Sequence, residues 1–153
     1  MKFKSLRDIL IFAMAKEESS VRFYKKLAVM VQKTETAMIF ENLARREQEH
    51  IEAVRLELFK QGFTLDDSTA EDTDQDSGIY IELDQTAGRM SYVDALRVGV
   101  QKERASFKLY AELMALAEDL ESRKMFLELA EEEMRHLLQL EREIEVMTGP
   151  HRS

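Results

Sequence analysis

Residues 40–50, FENLARREQEH, are answered 86 residues later by residues 126–136, FLELAEEEMRH. Each stretch sets a Glu and a His three residues apart, Glu47 with His50 and Glu133 with His136, so both side chains fall on one side of a helix. Thirty residues before each of these glutamates stands another, Glu17 before Glu47 and Glu103 before Glu133. Tyr24 and Tyr110 follow those first glutamates at the same interval in both halves. Two of the three histidines in the chain occupy matched positions. The doubled pattern supplies four carboxylates and two imidazoles from four separate segments.

The flanking apolar residues define the helices. One proline and five glycines in 153 residues leave few breakers. Helix one is predicted from about Ser5 to Gln32, with Ile9, Ala13, Glu17, Ser20, Tyr24 and Leu27 on one face. Helix two runs from about Thr34 to Gln61, carries Phe40, Leu43, Glu47, His50, Val54 and Leu58 on its stripe, and stops at Gly62. The short connection makes this first pair antiparallel. Helix three opens at Ser91, with Asp94 three residues on as in a capping box. Its inner face reads Leu96, Gly99, Glu103, Ser106, Tyr110 and Leu113. Helix four runs from about Leu120 to Met147 and ends at Gly149-Pro150, leaving His151 in a frayed tail.

Between the pairs lies an acidic linker, about residues 63–90. A helix of about 28 residues is about 42 Å long. A linker of this length spans that distance easily at about 3.3 Å per extended residue. The expected fold is therefore all-α: one domain over residues 1–153, a four-helix bundle of two antiparallel pairs joined by a long crossover. Ile79, Tyr80, Ile81 and Leu83 are expected to pin the crossover to the bundle. Asp72, Asp74 and Asp76 imitate a calcium loop, but the glycine falls at the seventh position (Gly78) and Leu83 takes the place of the twelfth-position Glu. A solvated acidic loop is the better reading.

Composition narrows the function classes. The chain has no cysteine, which excludes disulfides, Cys-bound zinc and iron–sulfur centres and fits a reducing compartment. Its net charge of -8 argues against nucleic acid or anionic membrane as the main partner. The N-terminus carries no signal-peptide pattern, and no segment is apolar for long enough to span a bilayer. A cytoplasmic protein is expected.

The doubled glutamates lie on apolar stripes, where an uncompensated carboxylate is costly and drifts towards its neutral form. Two divalent cations would balance four such carboxylates charge for charge. Oxygen and imidazole donors without sulfur suit iron or manganese and disfavour structural zinc. The competing reading, exposed charge on surface helices, requires both the stripe position and the doubled spacing to be accidents. Glu18 is set aside as a donor because it sits about 100° around the helix from Glu17, and its repeat counterpart is Arg104.

These segments carry a family resemblance. Lys16-Glu17 with Tyr24, the FxxLAxxExxH stretch ending at His50 and its repeat ending at His136 resemble the di-iron domain of rubrerythrins, within the ferritin-like superfamily. The likeness covers the chain apart from the acidic linker. It implies Glu17 and Glu103 as terminal ligands of two iron ions, Glu47 and Glu133 as bridging ligands, and His50 and His136 as one imidazole per metal. It also implies a di-iron oxidoreductase that reduces hydrogen peroxide or dioxygen, with electrons from a separate donor such as rubredoxin, in a homodimer or small homo-oligomer. Tyr24 and Tyr110 are candidates for hydrogen bonds to the ligand carboxylates. Two departures stand out. Rubrerythrins usually append a Cys-bound iron domain, and they carry an additional metal-site Glu where this chain has Ser106. The alternatives are a ferroxidase or iron-storage protein of ferritin type, and a non-catalytic helical interaction module.

Overall fold

The computed structural model describes residues 5–31, 34–63 and 91–149. They form four helices: α1 (Leu6–Met30), α2 (Thr34–Lys60), α3 (Tyr92–Leu116) and α4 (Leu120–Thr148). Local chemistry sets their ends. Ser5 and Ser91 cap α1 and α3 in the same way, each Oγ accepting from the backbone N–H of the Asp three residues on, at 3.1 and 3.0 Å. Asp119 caps α4 by accepting from the Ser122 N–H at 2.9 Å. Beyond α2, Gly62 takes φ 87°, a left-handed conformation that glycine adopts without steric cost. That turn lets the Phe63 N–H reach back to the Leu58 carbonyl at 3.0 Å.

The helices pack as two pairs, α1 on α2 and α3 on α4. The expected all-α bundle of two antiparallel pairs is the observed one. Close backbone contact between α1 and α3 joins the pairs, whereas α2 and α4 meet through side chains such as Glu57 and Ser122. The predicted stripes form the core: Ile9, Leu27, Phe40, Val54, Leu96 and Phe126 are all essentially inaccessible. Each such burial contributes about 1.5–3 kcal/mol relative to leaving the side chain in water. At Gly99 a Cβ would lie 3.0 Å from Leu140 Cδ1, so the bare backbone leaves room for that leucine, while the Tyr24 hydroxyl at 3.5 Å would be in ordinary contact.

α1 stops at Met30, with Val31 already extended, and α4 continues to Thr148. No helix among the described residues is long and apolar enough to cross a membrane. The acidic crossover with Asp72, Asp74 and Asp76, its Ile79–Leu83 segment and the tail with His151 lie outside the described residues.

Candidate metal centre

Across the middle of the bundle, each helix turns one or two polar side chains inward from an apolar stripe. α1 contributes Glu17, α2 contributes Glu47 and His50, α3 contributes Glu103, and α4 contributes Glu133 and His136. None is more than 6% exposed. Their donor atoms fall into two overlapping groups, Glu17–Glu47–His50–Glu133 and Glu47–Glu103–Glu133–His136, with all atoms in a group within 4.8 Å of one another. Glu47 and Glu133 belong to both groups, whereas Glu17 and Glu103 each belong to one. The arrangement is a pseudo-twofold cluster able to hold metal ions.

Both imidazoles turn Nδ1 inward. His50 Nδ1 lies 3.3 Å from Glu17, 3.1 Å from Glu47 and 3.2 Å from Glu133. His136 Nδ1 lies 3.4 Å from Glu47, 3.7 Å from Glu103 and 3.5 Å from Glu133. The two rings stack nearly parallel, 6.0 Å between centroids.

The tyrosines cross the pseudo-axis. The Tyr24 hydroxyl on α1 donates to Glu103 Oε2 on α3 at 2.5 Å, and the Tyr110 hydroxyl on α3 donates to Glu17 Oε2 on α1 at 2.6 Å. Each half thus steadies the other half's first glutamate. Burial and the neighbouring carboxylate, Glu103 for Tyr24 and Glu17 for Tyr110, raise both phenols well above their ordinary range, so they stay protonated as donors.

The protein's own charge arrangement is uneven. Burial, followed by the charges of Glu103 and Glu17, pushes the Glu47 carboxyl up. Burial and the surrounding glutamates do the same to Glu133. At Glu17 burial also works against ionisation, but the His50 imidazole outweighs it and holds the carboxyl at about 2. Glu103 is lowered against its burial by His136. Burial opposes charge on the imidazoles, yet Glu17 and Glu47 raise His50 to about 11, and Glu103 and Glu47 raise His136 to about 9. Without metal, then, Glu17 and Glu103 are biased towards the ionised form beside the imidazoles, while Glu47 and Glu133 are biased towards the neutral one.

Even so, Oε1 of Glu17, Glu47, Glu103 and Glu133 has no hydrogen-bond partner among the described residues. Buried carboxylate oxygens left without a made hydrogen bond are costly for protein alone and suited to cations. Hard oxygen donors with imidazole nitrogen fit iron or manganese.

Other nominated residues fall around this set. Ser20 and Ser106 are buried on the same inward faces, while Glu18 and Arg104 are exposed. Two features escaped the sequence reading. Lys16 and Lys102 are buried with their ammonium groups over the rings of Phe12 (5.7 Å) and Phe23 (4.9 Å). Glu132 touches both imidazoles. Its spacing of four from His136 was the available signal, obscured by the run Glu131-Glu132-Glu133 that reads as surface charge.

A helical bundle with paired Glu/His groups at its centre is the architecture of the ferritin-like di-metal carboxylate proteins. The profile of the Rubrerythrin family matches residues 8–144, and the chain belongs to that family. No curated protein and no solved structure matches it.

Proposed function

We propose that the chain is a di-iron oxidoreductase that reduces hydrogen peroxide, or dioxygen, with electrons from a separate donor protein. The observation that carries this reading is the pair of overlapping Glu/His groups sharing Glu47 and Glu133, lined by four partnerless carboxylate oxygens. Glu17 with His50 and Glu103 with His136 would hold one ion each, and Glu47 and Glu133 would serve both. Two ferrous ions bound there would supply the two electrons that cleave a peroxide O–O bond. Tyr24 and Tyr110 fix Oε2 of each terminal glutamate and leave Oε1 without a hydrogen-bond partner. Burial excludes bulk water and strengthens every charge interaction inside the site. Electrons would come from a separate donor such as rubredoxin, and the resemblance to rubrerythrins favours a cytoplasmic homodimer or small oligomer.

The test is anaerobic addition of hydrogen peroxide to the ferrous protein, followed by rapid absorbance. Oxidation of both ions per peroxide, faster than free ferrous iron reacts, is the expected result. A rate no greater than that of free ferrous iron would sink the proposal.

A further inference from the structure

The two halves correspond position by position at an offset of 86 residues, but at one point beside the cluster the chemistry is inverted. The residue before Glu47 is Arg46, and the residue before Glu133 is Glu132. Equivalent sites thus carry opposite charges, and the structure joins them: Arg46 Nε donates to Glu132 Oε2 at 2.5 Å. The same carboxylate faces the outer edges of both imidazoles. His50 Nε2 lies 3.3 Å from Glu132 Oε1, and His136 Nε2 lies 3.7 Å from Glu132 Oε2. Neither contact is a made hydrogen bond: His50 Nε2 has no aligned partner, and His136 Nε2 at 3.7 Å lies just beyond reach, so the carboxylate faces both rings without yet engaging them. Glu132 is mostly covered, its side chain 15% exposed, while Arg46 at 42% reaches solvent.

A neutral imidazole that gives one nitrogen to a cation carries its proton on the other. The group that accepts that proton fixes the tautomer and the ring angle, and its loss typically weakens metal binding about 10–100-fold. Here both rings turn Nδ1 to the cluster and Nε2 to a single carboxylate. A symmetric duplication would provide two such acceptors; this chain provides one and spends the second position on a cation that braces it. We infer that Glu132, held by Arg46, is a shared positioning residue that keeps His50 and His136 aimed into the cluster and so sets the affinity of both metal positions together. This rests on the cluster being a two-cation site. The competing role is a brace between α2 and α4, which the Ser122 hydroxyl donating to Glu57 and Lys60 donating to Ser122 also join.

Anaerobic titration of the metal-free protein with cobalt(II) against a competing chelator, read by the visible bands of bound cobalt, separates the two. Thermal melting of the metal-free form is run in parallel. Glu132→Ala should weaken both cobalt positions by about 10–100-fold, and Glu132→Gln, which keeps the shape and loses the charge, should weaken both by less. Arg46→Met, at an exposed position, should weaken both mildly and be rescued by Arg46→Lys. If Glu132→Gln lowers the melting temperature while both affinities stay at the wild-type value, Glu132 is only a brace and the inference fails. Weakening at one position alone would overturn the sharing. Wild-type protein that takes up no cobalt would instead overturn the two-cation reading beneath it.

Discussion

Single residues explain how four carboxylates are tolerated in one bundle core. Tyr24 and Tyr110 each satisfy one oxygen of a glutamate from the other half, and that exchange ties α1 to α3 at the level of the cluster. Removing a donor leaves a buried acceptor unpaired, which costs about 1–3 kcal/mol. Tyr24→Phe should therefore lower the denaturant stability of the metal-free protein by that amount, with Tyr110→Phe similar; stability unchanged in both would show the bonds to be incidental. Protonation gives a second expectation. His50 and His136 have folded-state values raised from 6.5 to about 11 and about 9, and Glu47 and Glu133 are also raised, so the folded state holds more protons than the unfolded chain. The histidine contribution is complete below pH 6.5 and is lost as pH climbs through about 9 and then about 11. Glu17 acts oppositely, its contribution present above 4.5 and lost as pH falls towards about 2. Melting temperatures of metal-free protein should peak in mild acid and decline through alkaline pH, and metal loading should flatten that decline. A melting temperature that rises from pH 6 to pH 10 without metal would contradict the charge assignment. The six cluster residues were legible because their spacing is doubled. The cross-pairing of the tyrosines was not, since spacing along one helix does not reveal which neighbouring helix a side chain reaches.

At the scale of elements, helix existence followed from periodicity and helix ends from caps. Ser91 with Asp94 was readable as a start, and Gly62 as a stop. The Asp119 cap was hidden in the Glu118–Glu121 acidic run, where composition suggests only solvated charge. Between α3 and its neighbours, Gly99 faces Phe23 and the Tyr24 hydroxyl at ordinary contact distance and Leu140 more tightly. Its counterpart in the first half is Ala13, so the repeat alone did not mark it. Gly99→Ala should be close to neutral, because the gain of about 1 kcal/mol in helix propensity offsets a small shift of Leu140. Gly99→Val forces branched bulk into the same space and should cost about 1–3 kcal/mol. Equal stability of the two variants in urea denaturation would show that the close approach is unimportant.

For the whole molecule, pseudo-twofold symmetry is the organising fact. Two helix pairs meet so that their carboxylates and imidazoles interleave. The symmetry also shows where the halves diverge: Arg46 opposite Glu132, Gly99 opposite Ala13, Tyr92 opposite Leu6. The acidic balance of -8 includes these four buried glutamates, so part of it belongs to the interior. The measurement that bears most directly on this account is an anaerobic titration of metal-free protein with ferrous iron, read as bound iron per chain. A break at two ions is expected in the wild type, with a loss of bound iron in Glu47→Ala and Glu133→Ala, whose side chains belong to both groups. A break at one ion or none, or full binding retained in both variants, would contradict it.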